Sequence, residues 1–104
     1  MVTFVETPLF TRALPEYLDD EEYAELQRHL DAHPEAGDVV PGSGGVRKLR
    51  WAAKGKGARG GVRVIYFLKV SVEQIWLLTL YGKGVRENIP AHLLRKIREA
   101  IEHG

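Results

Sequence analysis

VRVIYFLK (Val62–Lys69) and QIWLLTLY (Gln74–Tyr81) decide the fold. Both are rich in β-branched and aromatic residues, and a short turn around Ser71 to Glu73 separates them, so they read as neighbouring central strands. Upstream, Val46 to Ala53 alternates as a third strand, with Leu49, Trp51 and Arg47 on one face and Lys48, Arg50 and Ala52 on the other. That alternation places cations opposite the core. KGKGARGG (Lys54–Gly61) is too glycine-rich for helix or strand and reads as a hairpin connection. Downstream, Gly82, Lys83 and Gly84 break the pattern. Pro90 then marks the start of a closing helix over Ala91 to Glu102, with Leu94, Ile97 and Ile101 at helical spacing.

Further upstream, Val39 to Gly45 (VVPGSGG) reads as a loop. Before it stands a helix that Asp19 or Asp20 can cap, with Glu21 and Glu22 in the first turn and Tyr23, Leu26 and Leu30 as its apolar stripe; Pro34 and Gly37 end it near His33. Leu9 to Leu14 forms a short helical segment interrupted by Pro15, and Met1 to Glu6 a first strand stopped by Pro8. The expected architecture is a single α+β domain spanning residues 1–104. It is a small twisted antiparallel sheet with helices on one face, in the order βααβββα.

The 104 residues suffice for one core, and 44% hydrophobic content with nine aromatics lies far from the regime of disorder. With no cysteine, a disulfide framework, a thiolate metal site and a cysteine nucleophile are excluded, and the cytoplasm is the expected compartment. The longest apolar stretches, such as Ile75 to Leu80, fall well short of the ~20 residues of a spanning helix, so no membrane role is expected.

The net charge of +1 conceals a segregated distribution. Met1 to Asp38 carries ten acids against two bases, a net of −8; Val39 to Arg86 carries ten bases against Glu73 alone, a net of +9. The two segments can simply neutralise each other across the fold, but that leaves the clustering of glycines with bases unexplained. A concentrated positive field instead points to a polyanion or an acidic partner.

If the three strands are neighbours, Lys48, Arg50, Lys54, Lys56, Arg59, Arg63 and Lys83 fall near one end of the sheet. Such a cluster binds phosphates by charge and by the guanidinium fork, while glycines admit close backbone approach. Trp51, Tyr66 and Tyr81 interleave with these bases, as in proteins that hold single-stranded RNA by phosphate contacts and base stacking; each also has a reading as core. His29 and His33 stand four apart, but the neighbouring glutamate and third ligand of a helical zinc motif are lacking. The phosphate-loop pattern GxxxxGK[ST] is absent as well.

The stretch GSGGVRKLRWAAKGKGARGGVRVIYFL (Gly42–Leu68), followed by LLTLYGKG (Leu77–Gly84), closely resembles the RelE/ParE toxin superfamily, and within it the HigB-like toxins of bacterial type II toxin-antitoxin modules. The likeness extends more loosely to the amino-terminal strand and the DDEEY helix start (Asp19–Tyr23). It implies a RelE-like fold and a small cytoplasmic, ribosome-dependent mRNA endonuclease without cofactor. It also implies a cognate antitoxin that usually binds operator DNA, so that contact with DNA is only indirect. By position, Lys54, Lys56, Arg63 and Lys83 match the family's catalytic basic groups, and Lys48, Arg50, Arg59 and Tyr81 are assigned to RNA binding. Some members depend on a tyrosine or histidine near the carboxyl terminus; here the closing helix offers His92 and His103, and Tyr81 precedes it. The ParE branch shares the fold and targets DNA gyrase.

The expected chemistry is attack of the substrate's own 2′-hydroxyl on the adjacent phosphate, for which the enzyme supplies alignment, charge neutralisation and proton transfer. Arg50 and Arg63 suit charge stabilisation because they stay protonated. Lys54 or Lys56 is the candidate base if cationic neighbours depress its pKa; otherwise all lysines remain charged and hold the transition state. Glu73 is the only acid between Val39 and Arg86, which leaves no carboxylate cluster for paired Mg²⁺, so a metal-independent chemical step is expected.

Overall fold

The computed structural model describes residues 1–52, 61–84 and 89–103. Five strands, β1 (Thr3–Glu6), β2 (Asp38–Val39), β3 (Arg47–Trp51), β4 (Val62–Lys69) and β5 (Gln74–Gly82), form one sheet in the order β1-β5-β4-β3-β2. Three helices, α1 (Pro8–Tyr17), α2 (Asp20–Ala32) and α3 (Ala91–His103), complete the domain. Among the described residues no helix is long and apolar enough to cross a membrane.

Three features depart from the sequence reading. The sheet is mixed, because β1 runs parallel to β5 while the other neighbours are antiparallel. Alternation carries no sign of strand direction; the α1–α2 excursion carries the chain from β1 to β2 at the opposite edge, and the antiparallel run from β2 to β5 then brings β5 beside β1 with the same polarity. Second, the element order gains β2, formed by Asp38 and by Val39, the first residue of the stretch read as a loop, which pair with Lys48 and Arg47. Third, the helices cover both faces. Phe10, Leu18, Leu26 and Leu30 of the α1–α2 layer pack with Leu49, Val62, Val64, Tyr66, Ile75, Leu77 and Leu80. Leu94 and Ile101 of α3 pack on the opposite face with Val46, Ile65, Phe67, Leu78 and Tyr81. Both faces of β4 and β5 are apolar enough to demand cover, which a one-sided arrangement would have denied them.

Local chemistry accounts for the helices. Thr7 caps α1, its hydroxyl accepting from the Phe10 amide at 3.2 Å and donating to the Leu78 carbonyl at 2.7 Å, which ties the helix start to β5. Pro8 at the first helical position sacrifices no hydrogen bond, and the helix runs through Pro15, two residues from its end, where Thr11 is exposed and its carbonyl can turn to water. Asp19 and Glu22 form a reciprocal capping box for α2. In α3, Leu94 and Ile101 are buried whereas Ile97 lies at the rim, 37% exposed. The Lys69 ammonium donates to the Ile101 carbonyl at 2.7 Å, and Arg95 and Arg98 donate to the Gly42 and Gly44 carbonyls, so α3 is pinned at both the β4 end and the β2–β3 loop.

Tyr66 anchors the segment between α2 and β2. Its buried hydroxyl donates to the Pro34 carbonyl at 2.8 Å and accepts from the Gly37 amide at 2.9 Å. Burial pushes the phenol above its ordinary pKa, with the Gly37 amide and the Arg47 charge opposing, so it stays a donor. Gly37 is required here, since a Cβ would stand 2.9 Å from Tyr66 Cε1. Arg47 completes the tie by donating to the Glu35 and Gly37 carbonyls at 3.2 and 2.7 Å.

Candidate functional site

The register of three adjacent strands builds a row on the α3 side of the sheet. Arg50 of β3 stands opposite Arg63 of β4, and Arg63 opposite Tyr81 of β5. Strands lie about 4.8 Å apart, so the three Cα atoms span roughly 10 Å. The next row on the same face holds Lys48, Ile65 and Thr79. Lys48 and Arg50 are exposed, Arg63 is half-buried, and Lys83, just past the end of β5, is exposed. α3 is fastened near Lys69, at the other end of β4, about 20 Å from Arg63. The basic row therefore lies at the end of the sheet away from the α3 anchor.

Of the sequence-predicted residues, Lys48, Arg50, Arg63 and Tyr81 share one face and Lys83 follows β5 at the same end. Lys54, Lys56 and Arg59 lie outside the described residues. Tyr81 is 8% exposed, and its ring packs in the α3-side cluster, so it supports the row from beneath instead of offering an open stacking face. Tyr66 belongs wholly to the core. His92 is exposed on the first turn of α3, and His103 is exposed at its end.

Glu73, the sole acid between Val39 and Arg86, sits at the turn before β5, at the far end of that strand from Tyr81. Most acids of the amino-terminal segment are carried by α1, α2 and their flanks, whereas Glu6 lies on β1 and Asp38 on β2, opposite Lys48. Glu6 is held in place by two hydroxyls: Thr11 and Tyr23 donate to its two carboxylate oxygens at 2.6 and 2.7 Å. Burial and this carboxylate together raise the Tyr23 pKa, which keeps the phenol a donor. An anion held between Arg50 and Arg63 would receive fork-shaped hydrogen bonds.

Sequence reasoning passed over one arrangement. Trp51, at the last position of β3, is only half-buried, and its ring lies 5.1 Å from that of His29, which lies 5.3 Å from that of His33. The helical spacing of the two histidines was legible; their meeting with Trp51 depends on where α2 crosses β3. Among the described residues no three histidine or carboxylate side chains gather as a metal-binding group. The chain matches no family model.

Proposed function

We propose that this chain is the toxin of a type II toxin-antitoxin module, a RelE-like ribosome-dependent endoribonuclease that cuts mRNA and so halts translation. The observation that carries the reading is the cross-strand row of Arg50, Arg63 and Tyr81, set on the face opposite the acidic helical layer. Two permanently charged guanidinium groups on adjacent strands suit a phosphodiester whose charge grows in the transition state.

In the proposed step the substrate's 2′-oxygen attacks the adjacent phosphorus, the bond from phosphorus to the 5′-oxygen breaks, and a 2′,3′-cyclic phosphate and a 5′-hydroxyl result. The proton leaving the 2′-hydroxyl and the proton gained by the 5′-oxygen pass through neighbouring groups. Lys54 or Lys56 is the proposed acceptor, and Lys83 adds positive charge. Arg50 and Arg63 neutralise the phosphate oxygens; Lys48 and Arg59 hold flanking phosphates. A cognate acidic antitoxin silences the protein, with the segregated charge accelerating its association.

The test is a reconstituted translation reaction with primer-extension mapping, run beside a gyrase supercoiling assay. The proposal expects cuts in mRNA only when ribosomes are translating it, and unimpaired gyrase. Intact mRNA with stalled gyrase would overturn it and identify a ParE-like inhibitor on the same fold.

A further inference from the structure

Away from the basic row, three rings meet where α2 crosses β3. Trp51 shares with Leu49 the α1–α2 face of β3, the side opposite Lys48 and Arg50, and packs against the core beneath the two helices. Its ring lies 5.1 Å from that of His29. The His29 ring lies 5.3 Å from that of His33, which stands one turn on at the C-cap of α2. His29 is half-buried and His33 is exposed, so the pair is open to solvent on one side.

Helical spacing alone only allows two histidines to share an ion. Here the side chains already hold the separation that sharing requires, because two imidazoles bound to one tetrahedral zinc at about 2.1 Å carry their centroids roughly 5 Å apart. Trp51, anchored in the core, restrains the His29 ring, so less side-chain freedom is lost when an ion binds. The surroundings favour a cation. α2 carries Asp20, Glu21, Glu22, Glu25 and Asp31 against Arg28, and the pair stands at its C-terminal end, where the helix dipole is negative. Arg47, on the same face of β3, is turned to the Glu35 and Gly37 carbonyls. Beside His33, an open depression of about 460 Å³, lined also by Pro34, Glu35 and Ala36, gives water ligands room.

We propose that His29 and His33 chelate one divalent late-transition ion, zinc by the separation of the rings, with water in the remaining coordination positions. Imidazole nitrogen suits zinc, copper and nickel, whereas magnesium, a hard ion, takes oxygen ligands. No third protein ligand gathers there among the described residues, so the ion is exchangeable, unlike the closed four-ligand zinc of a structural site. It braces the junction at which α2 ends and Pro34 accepts from Tyr66. The pair lies on the α1–α2 side of the sheet, opposite the face that carries Arg50, and is independent of the nuclease reading. Aromatic packing of the three rings without any ion is the competing account.

The experiment is calorimetric titration of zinc chloride, and separately of magnesium chloride, into the tag-free full chain and into His29→Gln, His33→Gln and His92→Gln, with melting temperatures recorded for each. One zinc per chain is expected in the parent and in His92→Gln, with no saturable heat from magnesium. Losing one of two imidazoles on a rigid element should weaken zinc about 100-fold in His29→Gln and in His33→Gln. His29→Gln also removes a contact of Trp51, so the exposed His33 decides the outcome if that variant fails to fold. Saturating zinc should raise the parental melting temperature by about 5 °C or more and leave that of His33→Gln unchanged. A second readout uses the chain carrying Trp76→Phe, in which Trp51 is the only indole: one equivalent of copper(II) should quench its emission, and adding His33→Gln should abolish the quench. Equal zinc affinity of His33→Gln and its parent would overturn the proposal. So would the absence of stoichiometric zinc binding by the parent, which would leave the three rings as packing alone.

Discussion

On the face of the sheet beneath α1 and α2, Val62, Val64, Tyr66 and Leu77 are fully covered, and the one buried hydroxyl in their midst, that of Tyr66, both donates and accepts. On the face beneath α3, the exposed Lys48 and Arg50 share the strand face with Ile65, Phe67 and Tyr81. Arg50 faces Arg63 across the ladder, and the hydroxyl of Thr79, 1% exposed, has no hydrogen-bond partner among the described residues. The Thr79 hydroxyl is a cost that stability alone would remove, and it lies one row from Arg63. Departures from local consistency concentrate at functional sites. Under the proposed function, the contrast leaves folding to the α1–α2 face and chemistry to the end of the α3 face that carries Arg50 and Arg63.

If that division is right, damage to the two faces must separate. Arg63→Gln, alone or with Arg50→Gln, should lower ribosome-dependent cleavage by about 100-fold or more, the scale on which removing one group that stabilises a developing oxyanion acts. Its melting temperature should stay within about 2 °C of the parent. A cleavage loss accompanied by loss of the cooperative transition would show the row to be structural and collapse the comparison.

Tyr66→Phe is the converse, with damage confined to the covered face. It strands the Gly37 amide and the Pro34 carbonyl, costing about 1–2 kcal/mol, or roughly 5–10 °C in a domain of this size. Cleavage at a temperature where both proteins are folded should be unchanged. The pH dependence sharpens the assignment. The folded phenol titrates above its ordinary value near 10, so its stabilisation is fully present below pH 10 and is lost as pH rises through the folded value. The stability gap between parent and Tyr66→Phe should narrow above pH 10 in chemical denaturation. A gap constant through pH 11 would deny that the hydroxyl carries it.

The smallest effect is a gain. Thr79→Val exchanges an unpartnered buried hydroxyl for a methyl of the same shape and should stabilise the domain by about 0.5–1 kcal/mol in urea unfolding. Destabilisation by that amount would mean that the Thr79 hydroxyl is satisfied in solution and that the α3 face is better built than the contrast holds.

Much of this division was legible in the sequence. The β-branched and aromatic runs Val62–Lys69 and Gln74–Tyr81 match β4 and all of β5 except Gly82, and the alternation of Lys48 and Arg50 against Leu49 and Trp51 placed the cations on one face. Asp19, Glu22, Leu26 and Leu30 define α2 through capping and spacing alone. What eluded the sequence depends on assembly. Strand direction and the side taken by α3 are not encoded in a period, and two residues of β2 are too short to show one. Alternation assigned Trp51 to the core face correctly; its ring's place against His29 follows from the α2 crossing. Tyr81 read equally well as platform or core, and burial at a strand crowded by Ile65 and Leu94 makes its ring core.

The most direct test of the central claim, that the basic face cuts RNA through the substrate's own hydroxyl, is to map the fragment ends from an mRNA carrying a single 2′-deoxyribose at the scissile position, beside its all-ribose parent, on translating ribosomes. The account predicts that the parent yields a 5′-hydroxyl on one fragment and a 2′,3′-cyclic phosphate, or its opened form, on the other, and that the deoxy-substituted message resists cutting at that position. Undiminished cleavage of the substituted message, or fragments bearing a 5′-phosphate, would contradict it by requiring an activated water and would remove the roles given to Arg50, Arg63 and the lysines beside them.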